Sequence, residues 1–374
     1  MNHRRLARIS YRPFARTAAE SSGAGRALGA RAPHRREKFQ PAPPPRGAGF
    51  SLVELMVAMV ISLILLGGVI QIYLGSRQSY RVQDSQARLQ ENGRFAMYFL
   101  NKDIRMAGYM GCNRLSSITP NVIANPPVPT FSSDTVLLGG DPGTWPSSYG
   151  VTQPSNWVSG TSTIMVRYAS PASVSLVGNM STVNANIQLS ANPSGYQAGD
   201  VLFITDCSSA DVFRATNVSQ SSGTVTIAHS NSQNAANFLS KAYQTDAQVM
   251  SFDYALYYIG TTATPGVNAL YRQDMKQTQE LADGVQDMRL LFGLDTTGDG
   301  AANIYDTATT IDALGSAGWP SVVSVRVNLL LATPQDNLNT TRQQYIFNGT
   351  TVTAPDRRLY APFGDTVTVR NRTM

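Results

Sequence analysis

One long run of uncharged, mostly apolar residues limits what this chain can fold into. The run covers residues 55–76, and Glu54 is the only charged side chain between Arg46 and Arg77. At a rise of about 1.5 Å per residue, a helix of this length spans the roughly 30 Å hydrocarbon core of a bilayer. The sequence therefore predicts a membrane-spanning helix near the N-terminus.

The basic residues are concentrated before this run. Residues 1–49 contain 11 of the 30 Lys and Arg residues and two of the 24 acidic residues, so residues 50–374 carry 19 basic and 22 acidic residues. Because Lys and Arg mark the cytoplasmic flank of a span, we expect the body of the chain on the far side of the membrane. The basic charge belongs to the leader, and we expect no nucleic acid partner for the mature body.

A cleaved secretory signal also combines a basic start with an apolar core. Two features oppose that interpretation. A carboxylate such as Glu54 costs about 2.5 kcal/mol or more at membrane depth, so it usually has a partner and a function. The run also continues into helix-compatible sequence and lacks a cleavage site of small residues followed by a loop.

The segment G-F-S-L-V-E-L at residues 49–55, followed by the apolar run, resembles the class III signal of type IV prepilins and pseudopilins. Gly49 corresponds to the residue before the cleavage point, Phe50 to the new N-terminal residue, and Glu54 to the acid at the fifth mature position. The resemblance implies that a prepilin peptidase cuts between Gly49 and Phe50 and N-methylates Phe50. It also implies that Glu54 neutralises the Phe50 amine of a neighbouring subunit in the filament, as the assembly charge.

Three other segments resemble the PilW-like minor pilins: GYMGC at residues 108–112, LADGVQDMRLLFGLD from Leu281, and the C-terminal RRLYAPFGDTVTVRNR. This resemblance implies a structural minor pilin that helps to initiate type IV pilus assembly and sits at or near the pilus tip. A minor pseudopilin of type II secretion and a tip adhesin remain alternatives.

The resemblance also implies partners and a location. The implied partners are other minor pilins, the major pilin, the prepilin peptidase, the inner membrane and the pilus assembly platform. The implied location is a single pass through the inner membrane, with the N-terminus cytoplasmic and the head periplasmic, and later the pilus on the cell surface.

The predicted fold is α+β, with a pilin-like lollipop shape in which a long N-terminal helix packs on an antiparallel β-sheet head. No proline occurs between Pro45 and Pro120, so we expect one helix over residues 51–106. An apolar stripe of Tyr80, Ala87, Phe95, Phe99 and Ile104 is expected to pack on the head. Strands are expected at residues 135–138, 163–168, 201–205, 224–228, 249–258, 322–331 and 366–369.

The expected organisation has four parts: a basic leader, residues 1–49, that is removed; a transmembrane and filament-core helix, residues 50–74; an amphipathic helix half, residues 75–108; and a β-rich periplasmic or pilus head, residues 109–374. The leader is long for a prepilin, and no methionine lies between Met1 and Met56. A mis-assigned start and a true cytoplasmic extension both remain open.

The two cysteines would lie in an oxidising compartment under this topology. Cys112 and Cys207 are the only thiols of the chain. Because cysteines in such a compartment usually pair, we expect a disulfide that ties the end of the helix to the sheet.

An acidic loop, DTTGDGAANIYD at residues 295–306, follows the spacing of an EF-hand calcium loop in part. The oxygen ligands would come from Asp295, Thr297, Asp299, Asn303 and Asp306. The third position is Thr, the last is the short Asp, and no flanking helix pair is evident. Calcium is the one candidate cofactor, and a glycine-rich turn with solvated aspartates explains the same residues.

No catalytic constellation accompanies these features. The sequence contains no GxSxG, Walker A or HExxH pattern, and His229 is the only histidine beyond the leader. We therefore expect a structural protein with no enzymatic activity.

Overall fold

The computed structural model describes residues 49–125 and 130–372. The predictions for the leader, apart from Gly49, lie outside these residues. The chain divides into two compact units, Met1–Leu65 and Leu66–Met374. Among the described residues, the first unit contains the start of one long helix, and the second contains the remainder of that helix and the sheets.

The long helix, α1, covers Leu52–Met106, as predicted to within one residue. It begins after Ser51, whose carbonyl accepts the Leu55 N–H at 3.1 Å. It ends before Gly108, which has a φ of 72° in the left-handed region that glycine adopts without a Cβ penalty. The Gly108 N–H donates to the Arg167 carbonyl at 2.8 Å, so the end of the helix is tied to a strand.

Beyond α1 the described residues are mostly β-structure, with one further α-helix, α2, at Ala308–Ala313. The first nine strands are β1 (Asn121–Val122), β2 (Leu137–Gly140), β3 (Thr163–Ser175), β4 (Ile187–Leu189), β5 (Val201–Thr205), β6 (Ala210–Arg214), β7 (Asn217–Ser221), β8 (Thr224–Ala228) and β9 (Gln248–Thr261). The others are β10 (Asn268–Gln273), β11 (Thr278–Asp283), β12 (Val285–Leu294), β13 (Ile304–Asp306), β14 (Val322–Ala332), β15 (Gln344–Phe347), β16 (Thr350–Thr353) and β17 (Tyr360–Thr368).

These strands form two larger sheets and two small ones. The first larger sheet has the order β1-β6-β5-β9-β10-β11, with β3 paired to β9 and β2 paired to β3. The second has the order β13-β12-β14-β17 and is antiparallel throughout. A sheet of β4, β8 and β7 and a hairpin of β15 and β16 complete the head. The architecture is the predicted α+β fold, a long apolar N-terminal helix followed by a β-rich head of mainly antiparallel sheets.

The main hydrophobic core lies where α1 meets both larger sheets. Leu89, Ala96 and Leu100 of α1 share this core with strands of each sheet. Strand β14 lies between β12 and β17, and its Leu329 and Leu331 belong to the same core. The predictions of a strand at residues 322–331 and of a helix packed on an antiparallel sheet are confirmed.

The side of α1 that packs on the head differs from the predicted stripe. Tyr80 is 72% exposed, Phe95 is 43% exposed, and Ala87 is also exposed, so the prediction is wrong for these three residues. The buried positions of α1 are Ser85, Leu89, Gly93, Ala96, Met97, Leu100, Asp103 and Ile104. These recur every three or four residues on the side opposite to the exposed aromatics, and only Ile104 and the half-buried Phe99 of the predicted stripe contribute to packing.

Small residues on the buried side let the helix approach the second sheet closely. A Cβ added to Gly93 would overlap the ring of Phe363, which lies on β17. Asn101 supports the same approach, because its amide donates to the Asp365 carboxylate at 2.6 Å. The contact between α1 and β17 therefore requires glycine at position 93.

Candidate functional site

The residues of the predicted assembly signal lie at the start of α1. Phe50 is 84% exposed, and Glu54 lies in the first turn of the helix. The backbone N–H of Ser51 donates to Glu54 Oε2 at 3.4 Å. Serine before a helix with glutamate three residues later is a capping box, in which the glutamate satisfies a free backbone donor. Glu54 therefore has a local role in starting the helix, which the sequence reasoning missed.

The charge of Glu54 has no counter-ion within the described part of the chain. Across residues 49–125 and 130–372, no Lys or Arg forms an ion pair with it. The first basic residue after it, Arg77, is 23 positions along the helix, or roughly 35 Å by helical rise. Among the residues that the structure describes, this carboxylate therefore has no cationic partner.

The first part of α1 is exposed on every side. All side chains from Leu52 to Arg77 are exposed, and the helix is long and apolar enough to cross a membrane by length and composition. An apolar helix without a buried face is typical of a membrane span or of a helix that packs on other subunits.

A buried charge network joins the last part of α1 to the first sheet. Asp103, 4% exposed, accepts a hydrogen bond from Arg272 Nε at 2.8 Å and another from the Tyr257 hydroxyl at 2.7 Å. Arg272 also donates to Asp274 Oδ2 at 2.8 Å and to the Tyr168 hydroxyl at 3.0 Å. Burial, and then the charge of Asp103, raise the pKa of Tyr257 well above its usual range, so it remains a proton donor. This network fixes the rotation of α1 against strands β9 and β10.

Sequence reasoning did not find this network. Asp103 lies on a polar helix segment and is 154 positions from Tyr257 and 169 from Arg272. Asp103 lies on the buried side of the helix with Leu100 and Ile104. A carboxylate on such a side is the one signal in the sequence that indicated a buried partner.

The predicted disulfide is present. Cys112 and Cys207 are bonded, with their Cα atoms 5.5 Å apart and 95 positions between them in the chain. Cys112 follows the end of α1, and Cys207 follows β5. Asn113 reinforces the link by donating to the Cys207 carbonyl at 2.6 Å. The expectation that a disulfide connects the helix end to the sheet is confirmed.

Comparisons with known proteins match two segments of the chain, one at the start of α1 and one in the head. Residues 45–70 match the family described as Prokaryotic N-terminal methylation motif, which includes Gly49, Phe50 and Glu54. Residues 256–371 match the family described as Type IV Pilus-assembly protein W. The two family matches support a PilW-like type IV pilin. No curated protein and no solved structure matches it.

The matched segments contain the principal features of the pilin. The first segment covers the start of α1, and the second covers the end of β9, the strands β10 to β17 and the residues Tyr257 and Arg272. A disulfide, an N-methylation motif and a transmembrane-like helix all accompany the match. A pilin family favours a structural role over catalysis.

The C-terminal residues of the pilin fasten the end of α1. Asn371 donates to the Ala107 carbonyl at 3.0 Å. Arg372 donates to the carbonyls of Val322, at 2.9 Å, and of Trp319. Burial of Arg372 lowers the pKa of its guanidinium to about 10, so it stays charged at neutral pH. The helix end is therefore held by the disulfide, by β3 and by the C-terminus.

A cleft of about 1210 Å³ lies beside the last three turns of α1. Its walls include Phe95, Tyr98 and Lys102 from the helix and Asp253, Lys276 and Arg370 from the head. Six Lys or Arg residues and three Asp residues line it, whereas residues 107–372 carry 13 basic and 18 acidic residues. The cleft is thus electropositive on an acidic head. Burial, and then the nearby charge of Asp274, raise the pKa of Asp253 to about 6 against the backbone hydrogen bonds that lower it.

The candidate calcium loop is already hydrogen-bonded internally. The Asp295 carboxylate accepts the backbone N–H groups of Thr297, Gly298, Asp299 and Gly300, with the last at 2.7 Å. The Asn303 side-chain oxygen accepts the Thr296 N–H at 2.8 Å, and Asp306 lies in β13. Among the described residues, no group of three or more His, Cys, Asp or Glu is arranged to hold a metal ion. Calcium binding at this loop stays a prediction.

Proposed function

We propose that this pilin helps to initiate type IV pilus assembly and remains at or near the pilus tip. The observation that carries the proposal is the match of residues 256–371 to a pilus-assembly family, in a chain whose residues 45–70 match the N-terminal methylation motif. A type II secretion pseudopilin would share the second feature alone.

The proposed maturation begins with prepilin peptidase at the inner membrane. The peptidase cuts between Gly49 and Phe50, removes residues 1–49 and methylates the new amine of Phe50. Residues 50–74 then anchor the pilin, with residues 75–108 leading to a periplasmic head at residues 109–374. Phe50 is exposed, and a Cβ added at Gly49 would meet no atom of the described residues within 4 Å; both observations are compatible with access by the peptidase.

Assembly then pairs two charges that are each costly in an apolar environment. The Glu54 carboxylate of one subunit neutralises the Phe50 amine of its neighbour as the apolar helices pack together. A single ion in such a bundle would carry a large desolvation penalty, and a pair is far better tolerated. The lack of an internal cation for Glu54 among the described residues supports this step.

The head supports a tip position. It combines two larger sheets with an added sheet of β4, β8 and β7, so it is bulky for a subunit surrounded by others in a filament. Tyr80, Phe95 and Tyr98 remain exposed on α1, outside its buried side. These residues offer a surface for another minor pilin or for the major pilin, and the assembly platform would recruit the complex.

The experiment is a count of surface pili by electron microscopy in a strain that lacks the gene. We expect few or no pili, restored by the wild-type gene and not by Glu54→Gln. The glutamine variant is the sharp test, because its side chain keeps the oxygen that caps the helix and lacks the charge. Glu54→Ala removes both.

Each other outcome has a defined meaning. Restoration by Glu54→Gln but not by Glu54→Ala would assign Glu54 to helix capping and remove the proposed charge pairing. Normal pilus numbers in the deletion strain would contradict the initiation role. A secreted-protein assay would then test the pseudopilin alternative, and a surface-attachment assay would test the adhesin.

A further inference from the structure

An arginine-rich collar surrounds the point where α1 leaves its apolar stretch. Arg77 and Arg81 follow the last apolar residues directly and are exposed on the helix. Arg342 and Arg357 are exposed on the segments that connect β14 to β15 and β16 to β17. Among the described residues, none of these four makes an ion pair with a carboxylate. We call Arg77, Arg81, Arg342 and Arg357 the basic collar.

A direct contact brings the head segment to this level of the helix. The Gln78 amide donates to the Leu338 carbonyl at 3.2 Å, and Leu338 is 5% exposed. The backbone N–H groups of Leu338 and Asn339 both donate to the Arg357 carbonyl, at 3.2 and 3.0 Å. Arg357 is therefore next to the contact between Gln78 and Leu338. Arg342 lies four positions after Leu338 in the chain.

The position along the helix places the collar at the height of lipid headgroups. If residues 55–76 cross the hydrocarbon core, Arg77 and Arg81 lie roughly 2 to 8 Å beyond its edge by helical rise. The headgroup layer occupies about 5 to 8 Å on each side of that core. Tyr73 and Tyr80, 64% and 72% exposed, flank the same level, as aromatic residues of an interfacial belt do.

The collar has a clear excess of positive charge. The adjoining loop carries one carboxylate, Asp336, which accepts the backbone N–H groups of Asn337 and Arg357, and the Arg357 guanidinium donates to the Asn337 side-chain oxygen. Arg358 is already paired with Asp356 at 3.4 Å. Arginines just beyond a span on the non-cytoplasmic side also run against the usual distribution of charge, so their presence calls for a ligand.

We propose that the basic collar binds anionic phospholipid headgroups while the pilin waits in the membrane before assembly. Each arginine near an anionic membrane surface strengthens binding to that surface about fivefold. The bound lipid would hold the head segment near the membrane surface and set the depth of α1. The inference relies on the proposed topology, with the head outside the inner membrane, and goes beyond the assembly role.

The test uses the full chain reconstituted in vesicles of phosphatidylcholine mixed with phosphatidylglycerol. Protein and its surrounding lipid are extracted in polymer-bounded discs, and the ratio of the two lipids is compared with that of the bulk vesicle. We expect phosphatidylglycerol to be enriched severalfold around the wild type. The enrichment should fall to the bulk ratio in R77Q/R81Q/R342Q/R357Q and weaken at high salt.

A matched control separates position from charge. R77Q/R81Q should lose much of the enrichment, whereas R94Q/R105Q should keep it. Arg94 and Arg105 are exposed on the same helix without an ion pair among the described residues, but they lie roughly 27 and 44 Å beyond Ser76 by helical rise. Unchanged thermal unfolding of the variants would confirm that the head remains folded.

Three results would overturn the inference: equal phosphatidylglycerol around the wild type and the collar variants, equal loss in R94Q/R105Q, or loss of enrichment on adding inorganic phosphate at matched ionic strength. The last result would identify a free phosphate site in place of a lipid surface. Failure of the proposed function is distinguishable, because it appears in pilus counts or in protease accessibility of the head in spheroplasts. Neither readout depends on the lipid ratio.

Discussion

The two parts of α1 have the same secondary structure and opposite relations to the rest of the chain. Residues 52–76 are apolar on all sides, contain one charged residue and have no buried side chain. Residues 77–106 contain both polar and apolar residues, and every buried position of α1 lies among them. The first part thus has no packing partner among the described residues, whereas the second part has its partner within the head.

Because of this difference, we expect assembly and stability to depend on different parts of α1. Substitutions in residues 52–76 should change assembly while the head keeps its free energy of unfolding. Substitutions on the buried side of residues 77–106 should lower that free energy. Each prediction below is measured on the full chain in detergent by chemical unfolding.

The largest effect is expected from the buried ion pair. Arg272→Met leaves Asp103 charged and buried with only the Tyr257 hydroxyl as donor, which should cost about 3–5 kcal/mol. Asp103→Asn in the same chain should recover at least half of the loss, because neither charge then remains. The exposed pair of Arg88 with Asp84 provides the control, and Arg88→Met should cost less than about 0.5 kcal/mol. Equal losses in the two single variants would contradict the buried network.

A smaller loss is expected from the disulfide. Cys112→Ala combined with Cys207→Ala should lower the free energy of unfolding by about 2–4 kcal/mol, since the bond closes a long loop in the unfolded chain. Hydrogen exchange should rise first in residues 107–113, which the bond ties to the end of β5. Unchanged stability would mean that Asn371, Arg372 and the Gly108 hydrogen bond hold the helix end without it.

A glycine-to-alanine substitution can be made in each of the two parts of α1. Gly93→Ala should destabilise the pilin by about 1–3 kcal/mol, because the new methyl group overlaps the Phe363 ring. Gly75→Ala has nothing within 4 Å of the added Cβ, so it should be neutral or slightly stabilising. A gain in stability at both positions would show that β17 can move away from the helix.

The smallest effect concerns pH. Asp253 has a pKa of about 6 in the folded protein, above the value of about 3.9 expected when unfolded. Between these values the folded state binds more protons than the unfolded state, so the free energy of unfolding should fall as pH rises from 4 to 6. Asp253→Asn should remove this slope and be about 1–2 kcal/mol more stable than the wild type above pH 6. The same slope in both proteins would place the titrating group elsewhere.

The sequence predicted the features that depend on local pattern. The bounds of α1 followed from the absence of proline and from Gly108. Strands β5 and β8 were predicted at Val201–Thr205 and Thr224–Ala228, as observed. The N-terminal methylation motif was also recognisable, because its residues stand at fixed spacing just before and within the first turn of the helix.

The features that depend on distant contacts could not be predicted. The packed side of α1 was assigned to the aromatic residues Tyr80 and Phe95, because they carry the strongest hydrophobic signal. The observed side relies on Gly93 and Ala96, whose value lies in their small size against Phe363, and hydropathy does not register it. Strand β11 was missed because it is a polar edge strand with the sequence TQELAD.

The proposed role in pilus assembly is tested most directly by the mass of the N-terminal peptide of this chain in sheared, purified pili. We expect the chain to be present in the pili in small amounts. Its N-terminal peptide should begin at Phe50 and carry one added methyl group. Absence from pili whose assembly requires the gene would contradict the tip position. A chain that begins at any residue other than Phe50 would contradict the role of Gly49, Phe50 and Glu54 in assembly.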